Sequence, residues 1–188
     1  EESLAQGIFE KMYNIFPESN KHRLSIQYRM HPTIGTLISH VFYNDEIQNG
    51  VETQDRELYI EGYEGIAIEW ISTSKFPTKD RYEKVFENNG KKSYQNYLER
   101  NIIEKKLLEL DSKLTQRIKV AVITGYGPQK YIIQTMVKQH SFRNLEIDVD
   151  TVDAFQGSQK DIILYSTVMS SANKYGIGFL KSEARINV

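Results

Sequence analysis

Apolar positions recur every three or four residues in some stretches of this chain and form nearly unbroken runs in others, and the two patterns alternate. Leu4, Ile8, Met12 and Ile15 lie at helical spacing behind Ser3, a suitable N-cap, so roughly the first sixteen residues read as an amphipathic helix that Pro17 ends. Leu24-Ser25-Ile26 is a short strand candidate. Pro32 then sits where a first helical turn tolerates proline, ahead of an apolar face of Ile34, Leu37, Ile38, Val41 and Phe42. Asn49-Gly50 marks a turn, and Ile66 to Ile71 has the β-branched and aromatic content of a strand. Residues 72–90 are polar and irregular and read as an insertion or mobile loop, unable to build a core.

Ser93 is expected to cap a long helix that carries Ile102, Ile103, Leu107 and Leu110. Ile118 to Ile123 is an apolar run of the kind found in buried parallel strands. Pro128 opens a helix with Ile132, Ile133, Met136 and Val137, after which Leu145, Ile147 and Val149 alternate as a strand and Ile162 to Val168 forms a last one. Strands alternating with helices predict an α/β domain with a mostly parallel sheet. Ligands bind such sheets at the carboxyl ends of the strands. Three loops stand there: Gln27 to His31, Thr124 to Gln129 and Thr151 to Asp161.

Charge narrows the partner classes. With 24 Lys and Arg against 25 Asp and Glu the net charge is -1, so a nucleic acid, if bound, would be held on a local strip. The 188 residues, 39% hydrophobic, suffice for one core and a small subdomain. The absence of cysteine removes disulfides and thiolate metal sites. His22, His31, His40 and His140 show no metal-ligand spacing, and His31 reads as a brace for the helix that follows it. No apolar run is long enough for a membrane span and no signal-peptide layout is present, so a soluble intracellular protein is expected, cytoplasmic, nuclear or nucleoid-associated. Both ends read as cuts inside a larger protein, because the chain starts at Glu1 and stops within an unfinished apolar pattern at Val188.

In the first loop, Tyr28 offers a flat face to a base and Arg29 a permanently charged fork that matches phosphate oxygens; the plainer alternative is a core tyrosine and a salt-bridged arginine. In the third, Gly157 permits close backbone approach to a phosphate, while Thr151, Asp153, Gln156 and Gln159 supply donors and acceptors. A polar surface turn is the alternative there. Phe155 reads as a core anchor, and Asp153 and Asp161, as lone carboxylates, read as loop or cap residues before metal ligands.

Taken together the loops resemble a known family. Leu24 to Pro32, LSIQYRMHP, looks like motif IV of the Upf1-like superfamily 1 helicases, and Val152 to Asp161, VDAFQGSQKD, looks like their motif V. Val122 to Gln129, VITGYGPQ, is similar to the intermediate motif, which usually has proline where Gly125 stands. Gly178-Phe179-Leu180 and Arg185 to Val188 resemble the run into motif VI, and Phe42-Tyr43 with Asn49-Gly50 also fall where the family has a similar segment.

The resemblance implies a RecA-like, three-layer α/β domain spanning residues 1–188, the second motor domain of an ATP-dependent DNA or RNA helicase. It implies that Tyr28, with Gln27 beside it, holds the adenine of ATP and that Arg29 is the catalytic arginine, reaching the γ-phosphate across the cleft from the first motor domain. Gly157 and Gln159 would lie on the nucleotide side of motif V. Thr151 and Asp153 would lie nearer a single strand of DNA or RNA, and Thr124 and Tyr126 would face that strand's backbone.

Two departures bear on activity. The family usually has glutamate, expected to hold the ribose, where this chain has Gln159, and the arginine that normally follows Asn187-Val188 lies past the end. There is also no P-loop: in Gly176 to Ser182, the nearest approach, Leu180 occupies a required glycine position. ATP and Mg²⁺ are therefore expected to be held largely by the first motor domain, and the isolated chain is expected to be inactive. The rival readings are a degenerate motor that only binds nucleic acid or protein, and a free-standing doubly wound domain with a small ligand.

Overall fold

Parallel pairing on both sides of one apolar strand organises most of the chain. The computed structural model describes residues 8–88 and 90–170. The chain divides into two units, Glu1–Arg56 and Glu57–Val188.

In the first unit, helix α1 (Ile8–Ile15) ends ahead of Pro17 as expected. Strand β1 (Ile26–Gln27) pairs in parallel with β2 (Gln48–Asn49), and helix α2 (Pro32–Phe42) connects them. Asn49-Gly50, expected as a turn, is thus the end of a strand, with the Gly50 amide donating to the Gln27 carbonyl at 2.8 Å. Proline stands in the first turn of α2, and His31 braces that turn, its Nδ1 accepting from the Thr33 amide at 3.1 Å.

The second unit contains α3 (Thr78–Arg81), β3 (Lys84–Asn88), β4 (Lys91–Gln95), α4 (Tyr97–Lys113), β5 (Ile118–Thr124), α5 (Gly127–Val137), β6 (Leu145–Thr151), α6 (Val152–Phe155) and β7 (Ile162–Ser166). Strands β6, β5 and β7 form a parallel sheet in that order, with β5 central. Alternate residues of β5 serve opposite faces. Ile118, Val120 and Val122 pack with Ile103, Leu107 and Leu110 of α4 and Ile133 and Met136 of α5. Ala121 and Ile123 pack with Val152 and Phe155 of α6, which makes Phe155 the core anchor expected of it. Burial of each large apolar side chain contributes roughly 1.5–3 kcal/mol. The result is a mostly parallel α/β domain of the RecA-like class.

Four local expectations are corrected. No strand forms at residues 66–71, where Trp70 is 82% exposed; β-type composition needs a pairing partner, and none is engaged among the described residues. The segment 72–90, expected to be irregular, carries α3 and β3, and β3 gains regular structure by antiparallel pairing with β4. Ser93 lies in β4, and the cap of α4 is Asn96, whose side chain accepts from the Glu99 amide at 3.1 Å. The last strand stops at Ser166, because Val168 turns to φ 67° and is fully buried. Residues 176–182 and the run resembling motif VI lie outside the described residues.

Candidate functional site

The Gln27–His31 loop is held open by its first residue. The Gln27 amide nitrogen donates to the Met30 carbonyl (3.0 Å) and to Asn49 Oδ1 (2.7 Å), while its oxygen accepts from the amides of Arg29 (2.8 Å) and Met30 (2.7 Å). Two donors and two acceptor positions are all that a primary amide has. Gln27, expected to touch nucleotide, is therefore saturated within the protein and acts as the loop's support. Gly35 makes room for this: a Cβ there would lie 2.1 Å from Asn49 Oδ1.

Above this support Tyr28 is 61% exposed and Arg29 is exposed. The Tyr28 ring rests over Gly50, where an added Cβ would come within 2.4 Å of Cε1 and 2.7 Å of Cζ. The Arg56 guanidinium braces the loop from outside, donating to the carbonyls of Tyr28 (2.8 Å) and Arg29 (3.2 Å). Sequence reasoning missed Arg56 and Gly50 as parts of this site. Their spacing from Tyr28 carries no local signal; only the closure of β1 on β2 brings them together.

In the second unit the β5–α5 loop starts at Thr124. Thr124, expected to face a nucleic-acid backbone, is at 0% exposure with its hydroxyl unpartnered. Tyr126, half-buried, caps the entry to α5, and its ring meets Tyr94 of β4 edge-on with centroids 5.5 Å apart. Gln129 is fully buried and ties the loop inward, accepting from the Asn96 amide (2.7 Å) and donating to Ser166 Oγ (3.0 Å) and the Asn96 carbonyl (3.2 Å). Glu99 continues the network: one oxygen accepts from Ser166 Oγ (2.6 Å) and the Val168 amide (3.0 Å), the other from Thr167 Oγ1 (3.1 Å). Tyr165 stands near it, and burial first, with Tyr126 and Glu99 adding to the effect, pushes its hydroxyl up to about 12.

The loop after β6 begins at a braced base. Lys130 of α5 pairs with Asp150 at 2.7 Å, and the same Asp150 oxygen accepts from the Thr151 amide at 2.8 Å. The Lys130 hydrogen bond, ahead of a smaller opposing effect of burial, holds the Asp150 carboxyl below its usual 3.8. Thr151 is half-buried, and Asp153, Gly157 and Gln159 are exposed beyond it. Gly157 adopts φ 85°, a conformation that suits glycine, with open space where a Cβ would stand. Asp161 closes the loop on the sheet, accepting from the Lys119 amide at 2.7 Å, so it is the structural carboxylate expected.

The residues expected to face nucleotide thus stand in two places, Tyr28 and Arg29 on the first unit, Gly157 and Gln159 on the second. Among the described residues no group of three or more His, Asp and Glu comes together as metal ligands, and no helix is long and apolar enough to cross a membrane.

The profile of the AAA domain family matches residues 3–188. The chain is 34% identical over 98% of its length to the "Regulator of nonsense transcripts 1 homolog" of Drosophila melanogaster, covering 15% of that protein. It is 33% identical over 98% of its length to the homolog of the same name in Neurospora crassa, covering 17% of it. To the "ATP-dependent helicase upf1" of Schizosaccharomyces pombe it is 32% identical over 99% of its length, covering 20%. The chain therefore spans a fifth or less of these curated relatives.

Proposed function

This chain belongs to the AAA domain family and is a helicase domain of the Upf1-like type, and on that premise we propose that it is the second motor domain of an ATP-dependent helicase or translocase. Its substrate is ATP and its track a single strand of DNA or RNA in an intracellular protein. Its neighbour in the same polypeptide is a first RecA-like domain.

One observation carries this reading. Tyr28 is presented as an exposed ring on a glycine seat, beside Arg29, on a loop whose polar groups are already satisfied by Gln27 and Arg56. A ring held in this way can stack on adenine, and the neighbouring guanidinium can stabilise charge that spreads over a transferred phosphoryl group. A rigid support matters because an arginine acts on the transition state only if it is held in place beforehand.

On the second unit, the open backbone at Gly157 accommodates a phosphate or sugar, and the Gln159 amide can bond a ribose hydroxyl. Tyr126, Thr151 and Asp153 contact the nucleic-acid strand. Mg²⁺ would neutralise phosphate charge when bound. Its protein ligands are proposed to lie in the first motor domain.

ATP turnover by the isolated chain and by the full-length parent tests the proposal. The chain alone should hydrolyse ATP at background rate, and the parent should turn over ATP faster when single strands are added. Metal-dependent turnover by the purified chain would overturn the split site, and a parent that binds strands without hydrolysis would be a degenerate motor.

A further inference from the structure

Each peptide group is planar, so the direction in which a side chain leaves the backbone is set by the two planes that flank its Cα. At Arg29 both planes are held by side chains. Gln27 Oε1 accepts from the amides of Arg29 and Met30, and Arg56 donates to the two carbonyls that precede those amides, from Nη2 to Tyr28 (2.8 Å) and from Nε to Arg29 (3.2 Å). Every polar atom of the two planes is thereby engaged, the amides by one residue and the carbonyls by the other. Gln27 adjoins the loop in sequence, whereas Arg56 stands 27 residues beyond Arg29.

Arg56 is itself held. The short 3-10 helix Thr53–Asp55 has a reciprocal cap, in which the Glu52 side chain accepts from the Asp55 amide and Asp55 Oδ2 accepts from the Glu52 amide at 3.2 Å. The Arg56 amide donates to the Thr53 carbonyl and its Nη1 to the Asp55 carbonyl, each at 3.0 Å. Arg56 is exposed, and among the described residues it pairs with no carboxylate; its side-chain partners are main-chain carbonyls. Water would satisfy carbonyls at such a position, so these bonds add little to stability. What water does not supply is direction. A guanidinium does, because its N–H groups form a rigid planar fork.

We propose that Arg56 is a positioning residue for Arg29: it orients the two peptide planes from which the catalytic arginine projects, and so presets that arginine for the phosphoryl group being transferred. This rests on the reading of Arg29 above and goes beyond it, because it assigns a share of the rate to a residue that acts through the backbone of another.

The test is steady-state ATP hydrolysis by the full-length parent with single strands present. Arg56→Ala should lower kcat about tenfold, part of the roughly 10²-fold that a misplaced catalytic group costs. KM for ATP should stay within about twofold, because the Tyr28 ring has its own seat on Gly50 and the loss falls on the transition state. The thermal melt should match wild type, as expected at an exposed position. Arg56→Lys keeps the charge without the fork and should resemble Arg56→Ala. Added to Arg29→Ala, Arg56→Ala should lower the rate no further, because a residue that acts only through Arg29 then has nothing left to position.

A further loss on the Arg29→Ala background would overturn the assignment, since Arg56 would then act elsewhere; so would a wild-type kcat in Arg56→Lys. If Arg29→Ala is impaired while Arg56→Ala is not, this inference alone falls. If Arg29→Ala hydrolyses ATP as wild type does, the reading of Arg29 falls and this one with it.

Discussion

Replacing Gly50 by alanine isolates the seat of Tyr28 from its ring. Gly50 is outside the left-handed region, so alanine carries no backbone strain and the perturbation is one methyl group. That methyl would stand 2.4 Å from Tyr28 Cε1 and 2.7 Å from both Tyr28 Cζ and Ile26 Cγ2, against an ordinary carbon contact of about 3.5–4.0 Å. The conflict exceeds about 1 Å and must be relieved by movement. Tyr28, at 61% exposure, can swing aside, but Ile26 Cγ2 on strand β1 must shift as well, so the stability cost should fall within the roughly 1–3 kcal/mol seen on overpacking.

Displacing the ring removes adenine stacking, worth ~1 kcal/mol or more, which is about fivefold in affinity. Stacking acts equally on ground and transition states, so KM for ATP should rise about fivefold while kcat changes little. Steady-state ATPase kinetics of the full-length parent, with a thermal melt to confirm folding, measure this. Tyr28→Ala should give the same pattern. A Gly50→Ala parent with unchanged KM, beside a Tyr28→Ala parent with raised KM, would refute the argument from the seat; unchanged KM in both would return Tyr28 to a structural role.

Gln159→Glu in the parent should tighten ATP binding several-fold, since a charged acceptor adds about 1–2 kcal/mol over a neutral one, and should do so less for 2′-deoxy-ATP; dissociation constants that move equally would place Gln159 away from the ribose. Asp150→Asn should lower the melting temperature at neutral pH and flatten the acid limb of stability. The sign follows from a carboxyl held below its usual 3.8 by Lys130: its contribution is complete above that value and is lost as pH falls through the lower folded value. Parallel acid limbs for wild type and variant, measured by thermal melts, would count against that pairing. Leu107→Ala, at a fully buried position of α4, should cost about 2–5 kcal/mol in chemical denaturation.

How much of this was legible in the amino-acid order depends on how local each signal is. Helix α2 declares itself through Pro32 and one apolar face, and β5 through an unbroken apolar run, because both signals lie within the element. Strand β2 has two residues and exists only through Ile26 and Gln27, so nothing near Asn49 announces it. The reverse holds at Ile66 to Ile71, where strand-like composition met no partner among the described residues. Ser93 and Asn96 are both plausible caps, and the pairing of Ser93 with Phe86 in the hairpin decided between them.

Within the candidate site, loop chemistry left a core tyrosine and an exposed one both open at Tyr28, and the structure shows Tyr28, Arg29 and Gly157 exposed. The saturation of Gln27, the enclosure of Thr124 and the bracing by Arg56 arise from contacts across the fold that spacing does not encode.

Arg29 carries the central claim, and single-turnover ATP hydrolysis by the full-length parent, wild type against Arg29→Ala with single strands present, tests it most directly. An arginine that stabilises transition-state charge should show a hydrolysis rate lowered roughly 10²-fold or more on substitution, with nucleotide affinity much less affected. A rate that stays within a few-fold of wild type would contradict the account and leave Arg29 as a surface arginine.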